Sequence, residues 1–336
     1  NTLNWNAKLL VLEPLDNNIL EFIYNNLNIY EKICVSLSGG VDSMVMIYSL
    51  VKLKYLKLIE NDIIAIHINY GNREVAKKEE IFIKSYCQYI NVGVYTYNIK
   101  YVKRCSFNRS LYESITRGIR FECYRKLLHD DKDINIGKVF LGHIKDDVVE
   151  NVLTNFATNK HVNNLAKFKE IELIEGVYIA RPLLSIYKDT IIGYSKKYKI
   201  PYLLNTTPDW SNRGKFRNSF IKSFDIQYGD IGKEMVLKSA KEISSMSYVL
   251  DSMVINPLSD KLKNSDSIEI DPSLLSNRYI IYRIFEIYFH SKGISKASQK
   301  SINNILDSLP CKKQFKIKKG FSVISDNYKL NIIESN

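Results

Sequence analysis

Cysteine is sparse in this chain and never clustered. The five thiols, Cys34, Cys87, Cys105, Cys123 and Cys311, include no C-x-x-C pair that could chelate zinc or an iron–sulfur cluster. An odd, scattered set does not make a disulfide framework either, so a reducing compartment fits. No apolar run approaches the roughly 18 residues that a membrane-crossing helix needs. The opening Asn1–Asn6 is not a charged-then-apolar export signal. These absences predict a cytoplasmic protein without a membrane partner. Gly 14 and Pro 7 in 336 residues are too few for a disordered or fibrous chain. The phosphate loop G-x-x-x-x-G-K-S/T is also missing, which disfavours γ-phosphate transfer of the kinase or GTPase kind.

What is present describes an ordinary globular chain, 45% hydrophobic and 25% charged, long enough for about two domains. Forty-eight Lys and Arg against 36 Asp and Glu leave a net charge of +12. A surplus of that size suits a polyanionic partner such as nucleic acid. Drift toward Ile, Asn, Lys and Tyr, the residue types of an AT-rich genome, would produce it too.

Periodicity predicts a lead-in helix between Leu9 and Tyr30 with Leu20, Ile23, Tyr24 and Leu27 on one side. Short apolar runs then predict strands at Ile33–Leu37, Ile63–Asn69, Gly93–Ile99 and Lys138–Leu141. They alternate with helical stretches at Val41–Leu53, Glu74–Ile90, Glu113–Leu128 and Asp147–Phe156. Strands alternating with helices of this length predict an α/β fold, a parallel sheet with helices on both faces. Beyond Phe220 the pattern changes. Helices are expected at Ile231–Met253, Arg278–His290 and Ser298–Leu309, with a polar stretch at Asn256–Ser276 and a few strands between Gln314 and Ile333. The expected organisation is a lead-in helix at 1–30, a catalytic domain at 31–222, and a helical linker with a smaller α+β domain at 223–336.

The sharpest feature is Ser38-Gly39-Gly40-Val41-Asp42-Ser43, between the first strand and the helix that follows it. Glycines let the backbone turn close to a ligand, and N–H groups at a helix start with two hydroxyls make an anion pocket suited to phosphate. Asp42 would repel that phosphate unless it holds Mg²⁺ or faces away. A plain strand-to-helix turn would also use Ser and Gly. The complete string resembles the loop of the PP-loop ATP pyrophosphatase superfamily, whose members hold ATP and release pyrophosphate while adenylating a substrate.

Leu141-Gly142-His143-Ile144-Lys145-Asp146-Asp147-Val148-Val149-Glu150-Asn151 narrows the resemblance. It is similar to the GHHxDDxxET signature of tRNA(Ile)-lysidine synthases and their thiolating relatives. Physically, it leaves the fourth strand at the carboxyl edge, where open α/β sheets bind ligands, and delivers Asp146, Asp147 and Glu150 at a helix start. Asp147 and Glu150 stand three apart on one helical face, able to meet a metal or an amine. A solvated acidic helix N-terminus is the bland explanation. Glu113 with Arg117, Arg120 and Phe121 is similar to the family's ExxxARxxRY helix. The arginines either form a surface pair with Glu113 or face ATP or the anticodon loop.

Ala180-Arg181-Pro182-Leu183-Leu184, Asp209-Trp210-Ser211-Asn212 and the Arg213, Lys215, Arg217, Asn218 segment are similar to the RPLL and DxSN…RN elements of that family. Nine Lys or Arg against two Asp fall between Arg181 and Lys222, interleaved with Tyr187, Tyr194, Tyr202, Trp210 and Phe216. Such a patch grips phosphates and stacks unpaired bases. A second basic run, Lys312, Lys313, Lys316, Lys318 and Lys319, either touches the acceptor stem or protects a strand edge. Near the end, Gly320-Phe321-Ser322-Val323 looks like the family's kGxxV stretch. Departures are Ile144 for the second His, Asn151 for Thr, Asn69-Tyr70-Gly71-Asn72-Arg73 for NHGLR, and a stretch at 159–166 without glycine.

The resemblance implies ATP-dependent formation of lysidine at the wobble cytidine of tRNA(Ile), with a CAU anticodon, from free L-lysine. It implies ATP binding by Ser38, Gly39, Gly40, Val41, Asp42, Ser43, Gly142 and His143, although His143 would equally cap a strand end. It implies Mg²⁺ on Asp42 and Asp146, the amine at Asp147, Glu150 or Glu113, and tRNA contacts from Arg117, Arg120, Arg181, Arg213, Lys215 and Arg217. A homodimer is compatible with it. The competing readings are a tRNA thiolase, which the missing C-x-x-C counts against unless Cys105 or Cys123 carries a persulfide, and a tRNA-binding homologue without turnover.

Overall fold

The computed structural model of this chain describes residues 11–71, 76–99, 109–129, 136–158, 165, 168–204, 212–257, 260, 267–291, 298–318 and 321–334. Asn72 and Arg73, Cys105, residues 159–164 and 166, Asp209 to Ser211, the side chains of Asn212 and Arg213, and Lys319 and Gly320 lie outside the description. Two compact units divide the chain at Ala240 and Lys241.

The first unit is organised by one short strand. In β1 (Lys32–Ser36), Ile33, Cys34 and Val35 are all fully buried. The pleat sends alternate residues to opposite faces. Ile33 and Val35 therefore join a core with α1 (Pro14–Asn26), α2 (Val41–Tyr55) and α3 (Ala76–Tyr89), while Cys34 packs with Phe121 and Tyr124 of α4 (Arg109–His129). A strand with no solvated face reads as a continuous apolar run, and helices cover both sides as expected.

Around β1 the six-stranded sheet has the order β3-β2-β1-β4-β6-β5. Pairing is parallel for β2 (Ile63–Asn69), β3 (Gly93–Asn98), β4 (Ile136–Phe140) and β6 (Val177–Ala180); β5 (Ile171–Ile174) runs antiparallel at the edge. The β5–β6 hairpin adds two strands to the expected four. Its turn, Glu175-Gly176, has φ of 50° and 81°, the left-handed pair that two-residue hairpins require. The chain winds outward from β1 to β3 and then returns to place β4 on the other side of β1. The switch point, where ligands bind in open α/β sheets, is thus between the carboxyl ends of β1 and β4.

The lead-in helix is part of this core. Leu15, Ile19, Phe22 and Ile23 of α1 are buried, whereas Tyr24, expected on the inner face, is exposed and donates its hydroxyl to the Leu58 carbonyl at 2.7 Å. The apolar stripe is rotated because a carboxylate is buried with it. Asp16 accepts from the Lys52 ammonium, the Ser49 hydroxyl and the Tyr194 hydroxyl, each at 2.6 Å, and Asp16 and Lys52 are both 0% exposed. This ion pair joins α1, α2 and α6 (Lys188–Lys197).

After α5 (Lys145–Ala157) and α6, a short α7 (Asn212–Lys215) continues through a π-helical turn (Phe216–Ile221) into α8 (Lys222–Leu250). Gly229 interrupts α8 with φ 59°, a conformation glycine adopts without strain. The second unit has an antiparallel sheet of order β7-β10-β9-β8, formed by β7 (Ser267–Glu269), β8 (Lys313–Lys318), β9 (Phe321–Asp326) and β10 (Lys329–Glu334). Its core joins Phe285, Tyr288 and Phe289 of α9 (Arg278–Ser291) and Ile305 of α10 (Gln299–Leu306) to Val323 and Leu330. Strand β7 lies inside the stretch read as merely polar, because three residues are too few to show a period.

Candidate active site

The loop after β1 turns back sharply to begin α2. Gly39 holds φ 81°, a conformation that calls for glycine, and a Cβ there would stand 2.7 Å from Leu203 Cδ1, so that side chain would also have to shift. Ser43 Oγ donates to the Gly40 carbonyl at 3.0 Å and lies 3.1 Å from Ser38 Oγ, while the Gly40 N–H donates to Ser38 Oγ at 3.3 Å. The hydroxyls brace the turn and leave the start of α2 facing the cleft. From the other side of the switch point comes Gly142, whose added Cβ would be 3.0 Å from the Ser43 nitrogen and 3.2 Å from the Asp42 carbonyl carbon. A methyl at this position would require the facing backbone to give by a few tenths of an ångström, so glycine lets the two loops approach this closely without a shift.

Between them opens a cleft of about 300 Å³ lined by Ser38, Gly40, Asp42 and Ser43 on one side and Gly142, His143 and Asp147 on the other. Ile68, Tyr70, Arg120 and Tyr124 form a third wall, and Arg217 enters from the π-helical turn. Asp42 is met by the Lys188 ammonium at 2.7 and 2.8 Å. Burial nevertheless outweighs that neighbour and pushes the Asp42 carboxyl above its ordinary range.

The acidic signature opens α5, where negative charge complements the helix N-terminus. Asp147 accepts the Ile144 N–H at 3.0 Å, closing the first turn, and also accepts from Arg217 Nη2. Arg217 Nε donates to Glu150 at 2.7 Å, so one guanidinium spans both carboxylates. Burial is the largest single influence on the Arg217 guanidinium and lowers its pKa, but Asp147, Glu150 and Asp42 together outweigh it and raise the pKa overall. Asp146 points elsewhere: it accepts the Lys188 backbone N–H at 2.8 Å and lies 3.4 Å from the Lys233 ammonium. Among the described residues no group of three or more His, Cys, Asp or Glu could hold a metal ion by itself. The Asp42 carboxylate beside a phosphate cradle is the kind of donor that Mg²⁺ combines with waters and phosphate oxygens, and here the Lys188 ammonium takes that place on it.

The remaining expected residues divide. Arg120 lines the cleft and donates to Tyr70 Oη at 3.0 Å. Arg117 and Glu113 are exposed on α4 away from the cleft lining, and Arg117 donates to Glu175 at 3.3 Å. Lys215 is exposed. Arg181, expected at the RNA surface, is only 4% exposed: it donates to His143 Nδ1 at 3.1 Å, to the Lys169 carbonyl at 2.6 Å and to Glu172 at 3.0 Å. Its buried place directly after β6 makes it a brace for the His143 loop.

Residues 12–223 match the family model described as PP-loop domain. The chain belongs to the PP-loop family. A tRNA(Ile)-lysidine synthase of Chlamydia felis (strain Fe/C-56) is 25% identical over 295 residues, covering 86% of this chain and 89% of that protein. Another, of Mycoplasma mycoides subsp. mycoides SC, is 24% identical over 322 residues, covering 92% and 75%. Among solved structures, the U34-tRNA thiolase NcsA from Methanococcus maripaludis, solved with its 4Fe–4S cluster, superposes with a TM-score of 0.55 at 19% identity. The match covers 72% of this chain and 82% of that one. At that identity the fold is what is shared.

Sequence reasoning overlooked three groups in this PP-loop site. Lys188 reaches both loops, its ammonium on Asp42 and its N–H on Asp146. Lys233, buried among Asp146, Asp225 and Asp230, ties α8 to the start of α5. Tyr124 shares a 2.8 Å hydrogen bond with Ser36 at the end of β1. A lysine at the first residue of α6, just past the RPLL stretch, was the available signal for Lys188, hidden within a general count of basic residues.

Proposed function

We propose that this PP-loop protein is a tRNA(Ile)-lysidine synthase. The observation that carries the reading is the meeting of a phosphate loop, Ser38–Ser43, with Asp147 in one cleft, where Arg217 links Asp147 to Glu150 one turn further along α5. Relatives that bear this name across most of their length support it.

The chemistry needs two displacements. First, O2 of cytidine attacks the α-phosphorus of ATP and pyrophosphate leaves. Then the neutral ε-amine of lysine attacks C2, AMP leaves with the former oxygen, and the amine loses a proton. The loop amides of α2 and the hydroxyls of Ser38 and Ser43 hold phosphate oxygens. Asp42 would hold Mg²⁺, and the ion would supply charge neutralisation at the leaving pyrophosphate. Lys188 and Arg120 stabilise negative charge developing there. Asp147 and Glu150 orient the amine and accept its proton. Glu113, exposed on α4 and not joined to Asp147 through Arg217, is left out of that role, and Asp146, committed to α6 and Lys233, is left out of the Mg²⁺ site. Lys215 and the basic second unit bind the tRNA.

The thiolase reading meets three unreactive thiols among the described residues, while Cys105 lies outside the description and Cys311 is exposed. Burial pushes Cys87 up to about 12 and raises Cys34 and Cys123 as well, which suppresses thiolate. The deciding experiment is mass spectrometry of nucleosides from tRNA incubated with protein, ATP and isotope-labelled lysine. A labelled cytidine derivative is expected. Cyanide-labile sulfur in the product would show a thiolase, and no pyrophosphate release from ATP and tRNA by folded protein would show a binding protein without turnover.

A further inference from the structure

Arg217 stands where the proposed mechanism needs another cation. Its guanidinium spans Glu150, at 2.7 Å from Nε, and Asp147, which is only 7% exposed. Bonds from one guanidinium to two carboxylates are charge-assisted, and they neutralise both and compete with an incoming ammonium for Glu150 Oε2 and Asp147 Oδ1. The same side chain lines the cleft with Ser38, Gly40, Asp42 and Ser43. Phosphate oxygens seated in that loop therefore come within its reach and offer the guanidinium a bidentate partner that neither carboxylate provides. The residue is carried on the π-helical turn Phe216–Ile221, a wide turn of the kind found at functional sites.

We propose that Arg217 is a positioning residue that holds the amine site shut in the free protein and is drawn to the nucleotide phosphates when they bind, which opens Asp147 and Glu150 to lysine. The proposal rests on the lysidine synthase reading. It makes nucleotide and lysine binding positively coupled. By linkage, each ligand tightens the other by the same factor. The amine is thereby admitted only when an activating group is already in place.

Calorimetry on the full chain tests the coupling, with free L-lysine as titrant in the absence and presence of α,β-methylene ATP. Wild-type protein should bind lysine at least about tenfold more tightly with the nucleotide. Arg217→Gln should bind lysine equally in both states, at an affinity without nucleotide above that of wild type, while Glu150→Gln should lose lysine binding in both. A tenfold coupling that persists in Arg217→Gln overturns the proposal, as does wild-type coupling below twofold. If Arg217→Gln fails to fold, Arg217→Lys decides: it keeps the charge and loses the fork, so coupling reduced at least threefold supports the role and unchanged coupling refutes it. Wild-type protein that neither binds nor incorporates lysine would refute the lysidine synthase reading, and the proposal with it. Lysine incorporation with an uncoupled Arg217 refutes the proposal alone.

Discussion

Replacing Lys52 by methionine removes one ammonium from the interior and leaves a carboxylate behind. Lys52 Nζ donates to Asp16 at 2.6 Å, to the Val11 carbonyl at 2.7 Å and to Tyr198 Oη at 3.0 Å, and it lies 4.4 Å from the centre of the Tyr198 ring. Breaking a buried pair by deleting one partner costs about 3–5 kcal/mol. After Lys52→Met, Asp16 keeps the Glu13 N–H at 2.9 Å and the Ser49 and Tyr194 hydroxyls at 2.6 Å, which places the loss near the lower end, about 3 kcal/mol. For a unit of this size that lowers the melting temperature by roughly 6–12 °C. Asp16→Asn strands the ammonium instead and should cost about 4–5 kcal/mol. In the double variant both charges are gone while Asn Oδ1 still accepts from the hydroxyls, so the two losses should fall short of additive by about 2 kcal/mol or more. Urea denaturation followed by circular dichroism, run as a double-mutant cycle, measures this. Additivity within about 0.5 kcal/mol would falsify the claim that the pair acts as a unit. Turnover per folded molecule should stay near wild type, since the pair holds α1, α2 and α6 together but does not line the cleft.

Three further outcomes are expected. Gly142→Ala places a methyl 3.0 Å from the Ser43 nitrogen, so the loops must part; stability should drop by about 1–3 kcal/mol and lysidine formation by about 10²-fold, and activity within threefold of wild type would refute the close-approach argument. Asp42→Asn should cut pyrophosphate release by orders of magnitude and leave tRNA binding intact. Because burial raises the Asp42 carboxyl, the folded protein holds that proton more tightly than the unfolded chain does. This group's contribution to stability therefore falls as pH rises from the unfolded carboxylate pKa to the raised folded one. The variant should flatten that part of the pH–stability profile, and a steeper profile would contradict the assignment. Binding of tRNA should weaken linearly in log–log dependence on salt, and Lys215→Ala should reduce the slope by about one if it meets a phosphate.

The parallel sheet was legible because β1 and β2 are buried on both faces and bounded by turn residues, so four strands could be read from apolar runs alone. The β5–β6 hairpin escaped because each arm has only four residues, and together they read as one run through Glu175-Gly176. Both site loops were legible for a local reason: glycines and carboxylates beside strand ends carry their meaning within a few residues. What was not legible is long-range. Arg181 and Arg217 look alike in a basic stretch, yet one braces the His143 loop from the interior and the other bridges Asp147 and Glu150. Nothing in a count of positive charges separates them, since partner and burial are decided by elements far away in sequence.

The cleft is assembled from five distant stretches, at Ser38–Ser43, Tyr70, Arg120 with Tyr124, Gly142–Asp147, and Arg217. During synthesis the phosphate loop leaves the ribosome long before Arg217 does, by roughly 10–35 s at 5–20 residues per second. Over that interval β1 also waits for β4, its central partner. A nascent chain thus carries the phosphate loop without its second wall, and nucleotide capture becomes a report that the whole unit has been completed. Fragments ending before Gly142 should be silent toward ATP, and ATP added during translation should protect only full-length units from proteolysis.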